Sequence, residues 1–315
     1  MGSRRAQHEK RATTGPCRTT CSQISQRCSA AAAYNGWRCI PIKNCAFDFQ
    51  ISSATPPVVG IEEVLPDMTA ISEAVILMAG EGSRLRGSDS TFLKPFVPVL
   101  GRPLISYALD TLIRAGITSV HFVVGYESGR MIKQLKQLLP SGPSASFIEN
   151  RDWQKQNGIS LLAAAGHLSK PFLLTMSDHL FDTAVIEHLL DSFNPDFLNI
   201  GVDQKLDSIF DLEDAMKVRT RGNKVTDIGK KLRDYDAIDI GLFVCPLETF
   251  DYFERAKSRS GGNDCSLADG VRLMADNDKV RAIDIGDGWW QDVDTPSMLR
   301  HAERKMSAGY ELNPG

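Results

Sequence analysis

The chain has 315 residues, 42% of them hydrophobic and 24% charged, with a net charge of −3. This suits one large globular domain or two small ones, and the lack of a basic excess gives no pointer to nucleic acid. No apolar run approaches the roughly 18 residues a membrane-spanning helix needs.

Residues 1–67 differ in character from the rest. Through Cys45 they carry eight Lys or Arg against one acid, Glu9, and five of the seven cysteines (Cys17, Cys21, Cys28, Cys39 and Cys45). No apolar core follows the positive start as in a secretory signal, and the cysteine spacings match no zinc pattern. This stretch reads as a disordered or non-native extension, with a basic localisation or metal-binding arm as the other reading, and Met68 opens the folded unit 68–315. Cys245 and Cys265 alone imply no disulfide framework, so the body of the protein reads as cytoplasmic.

From Ser72 the pattern alternates strand and helix. Val75–Met78 is a buried strand. Pro103–Ala115 has helical spacing and stops at Gly116, Ser119–Val124 is a second strand, and Arg130–Leu139 is helical. Ala145–Glu149 is a third strand, Gly158–Leu168 a helix, and Pro171–Met176 a fourth strand ending at Ser177-Asp178. Beyond about Asp203 the pattern changes to short strands, at Asp214–Thr220, Lys224–Ile228 and Ile238–Cys245. Helices follow at Leu247–Ala256 and Ser266–Met274, then a strand at Val280–Ile285 and a turn and helix from Trp290 to Arg304. The pattern predicts an α/β fold, a Rossmann-like, doubly wound, mostly parallel sheet with a smaller β-rich acceptor-binding part.

The first strand breaks into Met78-Ala79-Gly80-Glu81-Gly82-Ser83-Arg84-Leu85-Arg86-Gly87, with Lys94-Pro95 seven residues later. Glycines there admit close approach of backbone N–H groups to phosphate, and Arg84, Arg86 and Lys94 can offset triphosphate charge. A dinucleotide fingerprint requires a third glycine where Leu85 stands, and a P-loop requires Lys-Ser/Thr where Ser88-Asp89 stand. The stretch resembles instead the nucleotidylyltransferase signature, roughly L-A-A-G-x-G-x-R followed by K-P, with Met78 where alanine is usual; a strand–turn–helix connection with chance glycines is the other reading. Met78, Ala79, Gly80, Gly82, Ser83, Arg84 and Lys94 are the candidate nucleotide-binding residues.

Four further stretches carry candidate chemistry. Asp178 follows a buried strand whose carboxyl end would line a ligand crevice, and it is placed to hold Mg²⁺. His179 beside it is either a site residue or a structural histidine. Asp292 and Asp294 share one side if extended, with Asp292 a second metal candidate and Asp294 a helix cap or acceptor contact. Asn157, Gly158 and Ser160 open a helix and either read a pyrimidine edge or simply cap it. Lys230 lies in a cationic run, and Asp239 sits in an apolar strand where a carboxylate needs a partner; a phosphate on Lys230 with hydroxyls on Asp239 would supply one.

Taken together, Asn157-Gly158-Ile159-Ser160, Ser177-Asp178-His179, Gly229-Lys230-Lys231-Leu232-Arg233-Asp234 with Asp239-Ile240-Gly241, and Asp292-Val293-Asp294-Thr295 resemble the inositol-1-phosphate cytidylyltransferases of the sugar-phosphate nucleotidylyltransferase superfamily. The resemblance runs from Ala74 to about Met306. It implies metal binding at Asp178 and Asp292, cytosine recognition near Asn157-Gly158, and acceptor contacts near Lys230 and Asp239. It also implies CMP transfer from CTP to a phosphate monoester such as inositol 1-phosphate, with Mg²⁺ as cofactor and Arg84, Lys94, Asp178 and Lys230 as the catalytic set. Known members are fused to a membrane-embedded CDP-alcohol phosphotransferase; here a separate enzyme of that kind is the expected downstream partner. Sugar-1-phosphate, phosphocholine and phosphonate acceptors remain open, as do a nucleotide-binding regulatory protein and a metal-dependent glycosyltransferase.

Overall fold

The structure is a computed structural model that describes residues 71–86, 91–140 and 142–308. The expectations for residues 1–67 and for Met68 lie outside the described residues. Among the described residues, no helix is long and apolar enough to cross a membrane.

Strand β1 (Glu73–Met78) is the centre of the nucleotide half. Ala74 to Met78 are all buried, and successive side chains enter two different cores, Val75 and Leu77 in one, Ala74, Ile76 and Met78 in the other. A strand buried on both faces is what a parallel sheet covered by helices demands. After β1 come the single-turn helix α1 (Ser83–Arg86) and a small hairpin, β2 (Pro98–Val99) with β3 (Arg102–Pro103). Then α2 (Leu104–Arg114), β4 (Ser119–Val124), α3 (Ser128–Leu138), β5 (Ser144–Glu149), α4 (Asn157–Ala163) and β6 (Phe172–Met176) complete the winding.

The chain continues through β7 (His179–Phe181), α5 (Thr183–Ser192), β8 (Leu198–Asp203), β9 (Lys217–Arg221), β10 (Lys224–Gly229) and β11 (Ala237–Cys245). It ends with α6 (Thr249–Arg259), α7 (Leu267–Asp276), β12 (Val280–Asp284), β13 (Trp290–Asp292) and α8 (Pro296–Ser307). The main sheet has the order β5-β4-β1-β6-β11-β8-β12-β10-β9. β5, β4, β1 and β6 are parallel, β11 runs antiparallel between β6 and β8, and β12 is parallel to β8. The order turns back at β1, with β4 on one side and β6 on the other. That reversal is the topological switch point, and it opens a crevice at the carboxyl ends of β1 and β6.

Several elements depart from the sequence-based expectation. Strand β8 was not predicted: Asn199 and Gly201 interrupt its apolar run, yet all six of its residues are buried. The Asn199 amide is satisfied by donating to the carbonyls of Asn194 and Phe197 and accepting the Asn194 N–H. Helix α5 and the short pair β7–β13 were also missed, so Trp290 begins a strand rather than a turn. The expected helix 158–168 is α4 followed by a separate 3-10 turn at Ala165–His167. The strand expected from Asp214 begins at Lys217, and the helix expected from Leu247 begins at Thr249.

Helices α6 and α7 pack through Gly270, where an added Cβ would overlap three ring atoms of the buried Phe253. Alanine in a helix interior gains up to about 1 kcal/mol over glycine, whereas overpacking a core costs about 1–3 kcal/mol. Packing therefore wins: Gly270→Ala should lower the urea midpoint, and a midpoint at or above wild type would contradict this contact.

Candidate active site

The Gly-rich turn leaves β1 at the switch point. Gly82 has φ +66°, and a Cβ there would lie 2.6 Å from Lys94 Cβ, so glycine is required for Lys94 to pack beneath the turn. Arg84 reaches into the crevice from α1. Arg86, expected to share in phosphate neutralisation, turns away instead, donating to Tyr126 Oη at 2.9 Å and pairing with Glu81 at 2.5 Å.

The opposite wall comes from two segments far apart in sequence. β7 and β13 pair antiparallel with His179 opposite Asp292, and Val293 N–H donates to the Asp178 carbonyl at 2.9 Å. Asp178, Asp292 and Asp294 are thereby brought to one place. The capping expectation for Asp294 is corrected, because Thr295 Oγ1 accepts the Met298 N–H and caps α8. Asp294 is left to face the Gly-rich turn.

These groups form a continuous chain of alternating charge. Lys230 pairs with Asp214 at 2.7 Å, Asp214 with Arg84 at 2.7 Å, Arg84 with Asp294, Asp294 with Lys94, and Lys94 with Asp178. Asp178 Oδ1 then meets His179 Nδ1 at 2.7 Å. Burial pulls the Lys94 ammonium down, but the Asp178 and Asp294 charges outweigh it and hold its pKa above the ordinary value. Burial disfavours the Asp178 carboxylate, yet Lys94 and His179 keep it well below the usual range. His179 is raised, since the adjacent Asp178 charge more than offsets its burial.

Two cavities share this chain. One, of about 300 Å³, is lined by Met78, Ala79, Gly80, Gly82, Ser83, Arg84, Lys94, Asn157, Ser160, Asp178 and Asp294. The other, of about 330 Å³, is lined among others by Lys230, Asp239, His179, Asp214 and Asp292. Arg84, Asn157, Met176, Asp178 and Asp294 line both. Every residue expected to bind nucleotide thus lines the first cavity except Gly158, whose missing Cβ lets α4 lie against the Cys265 carbonyl. Asn157 Oδ1 accepts the Leu267 N–H and Ser160 Oγ accepts from Asn150, so both also tie the helix down.

Asp239 accepts the Gly241 N–H at 2.7 Å and has no cationic partner among the described residues. Gly241 has φ +75°, and a Cβ there would lie 2.5 Å from His179 Nε2. Burial pushes the Asp239 carboxyl up to about 6, against the opposing pull of the Gly241 N–H and His179. Asp214 was not anticipated; the only sign of it was an acidic stretch, Asp211 to Asp214, ahead of a strand.

A divalent cation can be tested against this donor set. Among the described residues no group of three His, Cys, Asp or Glu side chains converges on a metal position. Mg²⁺ needs fewer protein ligands, taking one or two carboxylates with phosphate oxygens and water. Asp178 and Asp292 fit that smaller demand. Burial, joined by the neighbouring Asp294 and Asp178 charges and opposed by His179 and Lys94, holds Asp292 above the usual carboxylate range, and a cation would relieve this.

A doubly wound sheet with a cationic Gly-rich turn facing carboxylates across two joined cavities defines a nucleotide-binding group-transfer domain. Residues 74–203 match the model of the MobA-like NTP transferase domain. The chain is 34% identical over 235 residues to the bifunctional IPC transferase and DIPP synthase of Rubrobacter xylanophilus, covering 74% of this chain and 51% of that protein. The protein of the same description from Thermococcus kodakarensis is 30% identical over 239 residues, covering 74% and 50%. The chain thus spans about half the length of these relatives. The solved structure of the inositol-1-phosphate CTP transferase from T. maritima aligns with a TM-score of 0.66 at 26% identity, covering 76% of this chain and 98% of that one.

The raised Asp239 carboxyl has a consequence for stability. Between its ordinary value of 3.8 and about 6 the folded state holds a proton that the unfolded state has lost, so this group's contribution falls as pH rises through that window. Asp239→Asn lacks this component. Its urea midpoint relative to wild type should therefore rise between about pH 4.5 and pH 7.5, and a constant difference would show that Asp239 is not perturbed.

Proposed function

We propose that this protein is a cytidylyltransferase that moves CMP from CTP to a phosphate monoester, with inositol 1-phosphate as acceptor and CDP-inositol and pyrophosphate as products. The observation that carries the reading is the pair of cavities meeting at Arg84, Asp178 and Asp294. One opens onto the Gly-rich turn, as a triphosphate requires. The other holds Lys230 for a phosphate and Asp239 for hydroxyl groups. The names of the relatives and of the solved structure support the choice of CTP and inositol phosphate.

An acceptor phosphate is largely dianionic at neutral pH, its second pKa being about 6, so no general base is needed. One of its oxygens forms a bond to the α-phosphorus of CTP while the bond from that phosphorus to pyrophosphate breaks. What the protein must supply is alignment and relief of repulsion between anions. Arg84 and Lys94 take the triphosphate, and Lys230 directs the acceptor phosphate in line. Backbone N–H groups around Gly80 and Gly82 approach the phosphates, and Asn157 faces the base. Asp178 and Asp292 would hold Mg²⁺, which supplies further charge neutralisation at the α-phosphate. We place the reaction in the cytoplasm, with a CDP-alcohol phosphotransferase consuming the product.

Pyrophosphate release tests the reading, with each of the four NTPs offered against inositol 1-phosphate, glucose 1-phosphate, phosphocholine and aminoethylphosphonate. CTP with inositol 1-phosphate should be the productive pair, and release with another pair alone would replace the substrates. Asp178→Asn should lower kcat by about a hundredfold or more, the usual scale for losing electrostatic stabilisation of a transition state. Retention of activity within about threefold would remove Asp178 from the mechanism. Lys230→Ala should raise the acceptor KM by about tenfold and leave the nucleotide KM nearly unchanged, since a phosphate contact of this kind is worth one charge-assisted hydrogen bond.

A further inference from the structure

Within the ion-pair chain, Asp214 bridges Lys230 and Arg84, and its two carboxylate oxygens are used separately. Oδ1 meets Lys230 Nζ and Oδ2 meets Arg84 Nη1, each at 2.7 Å. Arg84 lines both cavities, Lys230 only the acceptor side, so one carboxylate neutralises a cation of each substrate's site. Asp214 lies between β8 and β9, on a stretch whose only regular element is the 3-10 turn Leu206–Ser208. It is held locally by a turn, its N–H donating to the Asp211 carbonyl at 3.2 Å, with Asp211 itself at φ +63°. The side chain remains 36% exposed, and exposed pairs of this kind are individually weak.

We propose that Asp214 is a positioning residue that couples the two substrate cavities, holding Arg84 and Lys230 in the free protein and releasing both when a nucleoside triphosphate claims Arg84. This rests on the nucleotidyltransferase reading given above. A triphosphate on Arg84 brings several negative charges beside the Asp214 carboxylate, and like charges at this range repel. The carboxylate loses one partner and is pushed from the other, which leaves Lys230 open to the acceptor phosphate. Without the nucleotide, an acceptor phosphate must itself displace Asp214 from Lys230. The nucleotide therefore tightens acceptor binding, and by linkage the acceptor tightens nucleotide binding by the same factor.

The test uses the full chain with α,β-methylene-CTP and inositol 1-phosphate, each titrated calorimetrically alone and against a saturating amount of the other. In the wild type the analogue should tighten inositol 1-phosphate binding by about fivefold, at the lower end of allosteric coupling. In Asp214→Asn the ratio should fall to about one, because inositol 1-phosphate alone binds as tightly as it does to the nucleotide-loaded wild type. Asp214→Glu should restore the coupling. A purely structural role would weaken both ligands and leave the ratio intact, so an unchanged ratio in Asp214→Asn overturns the clasp alone. A wild type that binds neither ligand overturns the function reading and the clasp together. Coupled binding of the analogue, with CTP itself yielding no CDP-inositol in the pyrophosphate-release assay, would retire the reaction and keep the clasp.

Discussion

The site depends on a buried ammonium. Lys94, only 8% exposed, lies between Asp178 at the end of β6 and Asp294 just beyond β13, and it packs under Gly82 of the phosphate turn. A charge at such depth is tolerable only when it is paired, and removing one member of a buried pair costs about 3–5 kcal/mol because the other is left uncompensated. Lys94 thus joins the Gly-rich turn to two segments that the β7–β13 pairing already holds together. The strand pairing of β7 with β13 fixes their spacing, and the lysine gives the two carboxylates a common partner.

The same charges explain how one crevice can receive two anions. Arg84, Lys94 and Lys230 would repel one another if left bare, so the free protein intersperses Asp294 and Asp214 between them. Substrate phosphates then exchange with carboxylates rather than filling a naked cationic hole. This keeps the resting site electrically balanced and makes its affinity a difference between two sets of ion pairs. Asp239 stands outside that balance. Its hydrogen bond is to a backbone N–H, and the pull of nearby His179 does not offset its burial, so a neutral, protonated form or a hydroxyl donor from a ligand would suit it better.

Much of the nucleotide half was legible because its signals are local. A five-residue apolar run, a Gly-rich turn and Lys94-Pro95 at fixed distance define the start of a parallel sheet and its phosphate loop without reference to anything distant. Asp178 could be located by the same logic, as the residue after a buried strand. What could not be read were the features made by long-range pairing. β7 and β13 are three residues each, too short for any periodicity, and their pairing sets Asp292 opposite His179. β8 was hidden by an asparagine whose amide is satisfied inside the fold. Asp214 sits in an irregular connection, where charge pattern alone does not distinguish a solvated turn from a contact across the site.

The β7–β13 pair also bears on the order in which the protein can be made. Lys94 and Asp294 are separated by 200 residues, and Asp292 and Asp294 precede only α8 among the described elements. On the ribosome, the sheet from β1 to β6 emerges long before the strand that completes the site. Contacts of such sequence separation form late, since the loop they close carries the largest entropic cost. Until β13 arrives, Lys94 has Asp178 as its remaining carboxylate partner and Arg84 has Asp214. The carboxylates that complete the site therefore reach Lys94 and Arg84 only once this short strand has emerged and paired.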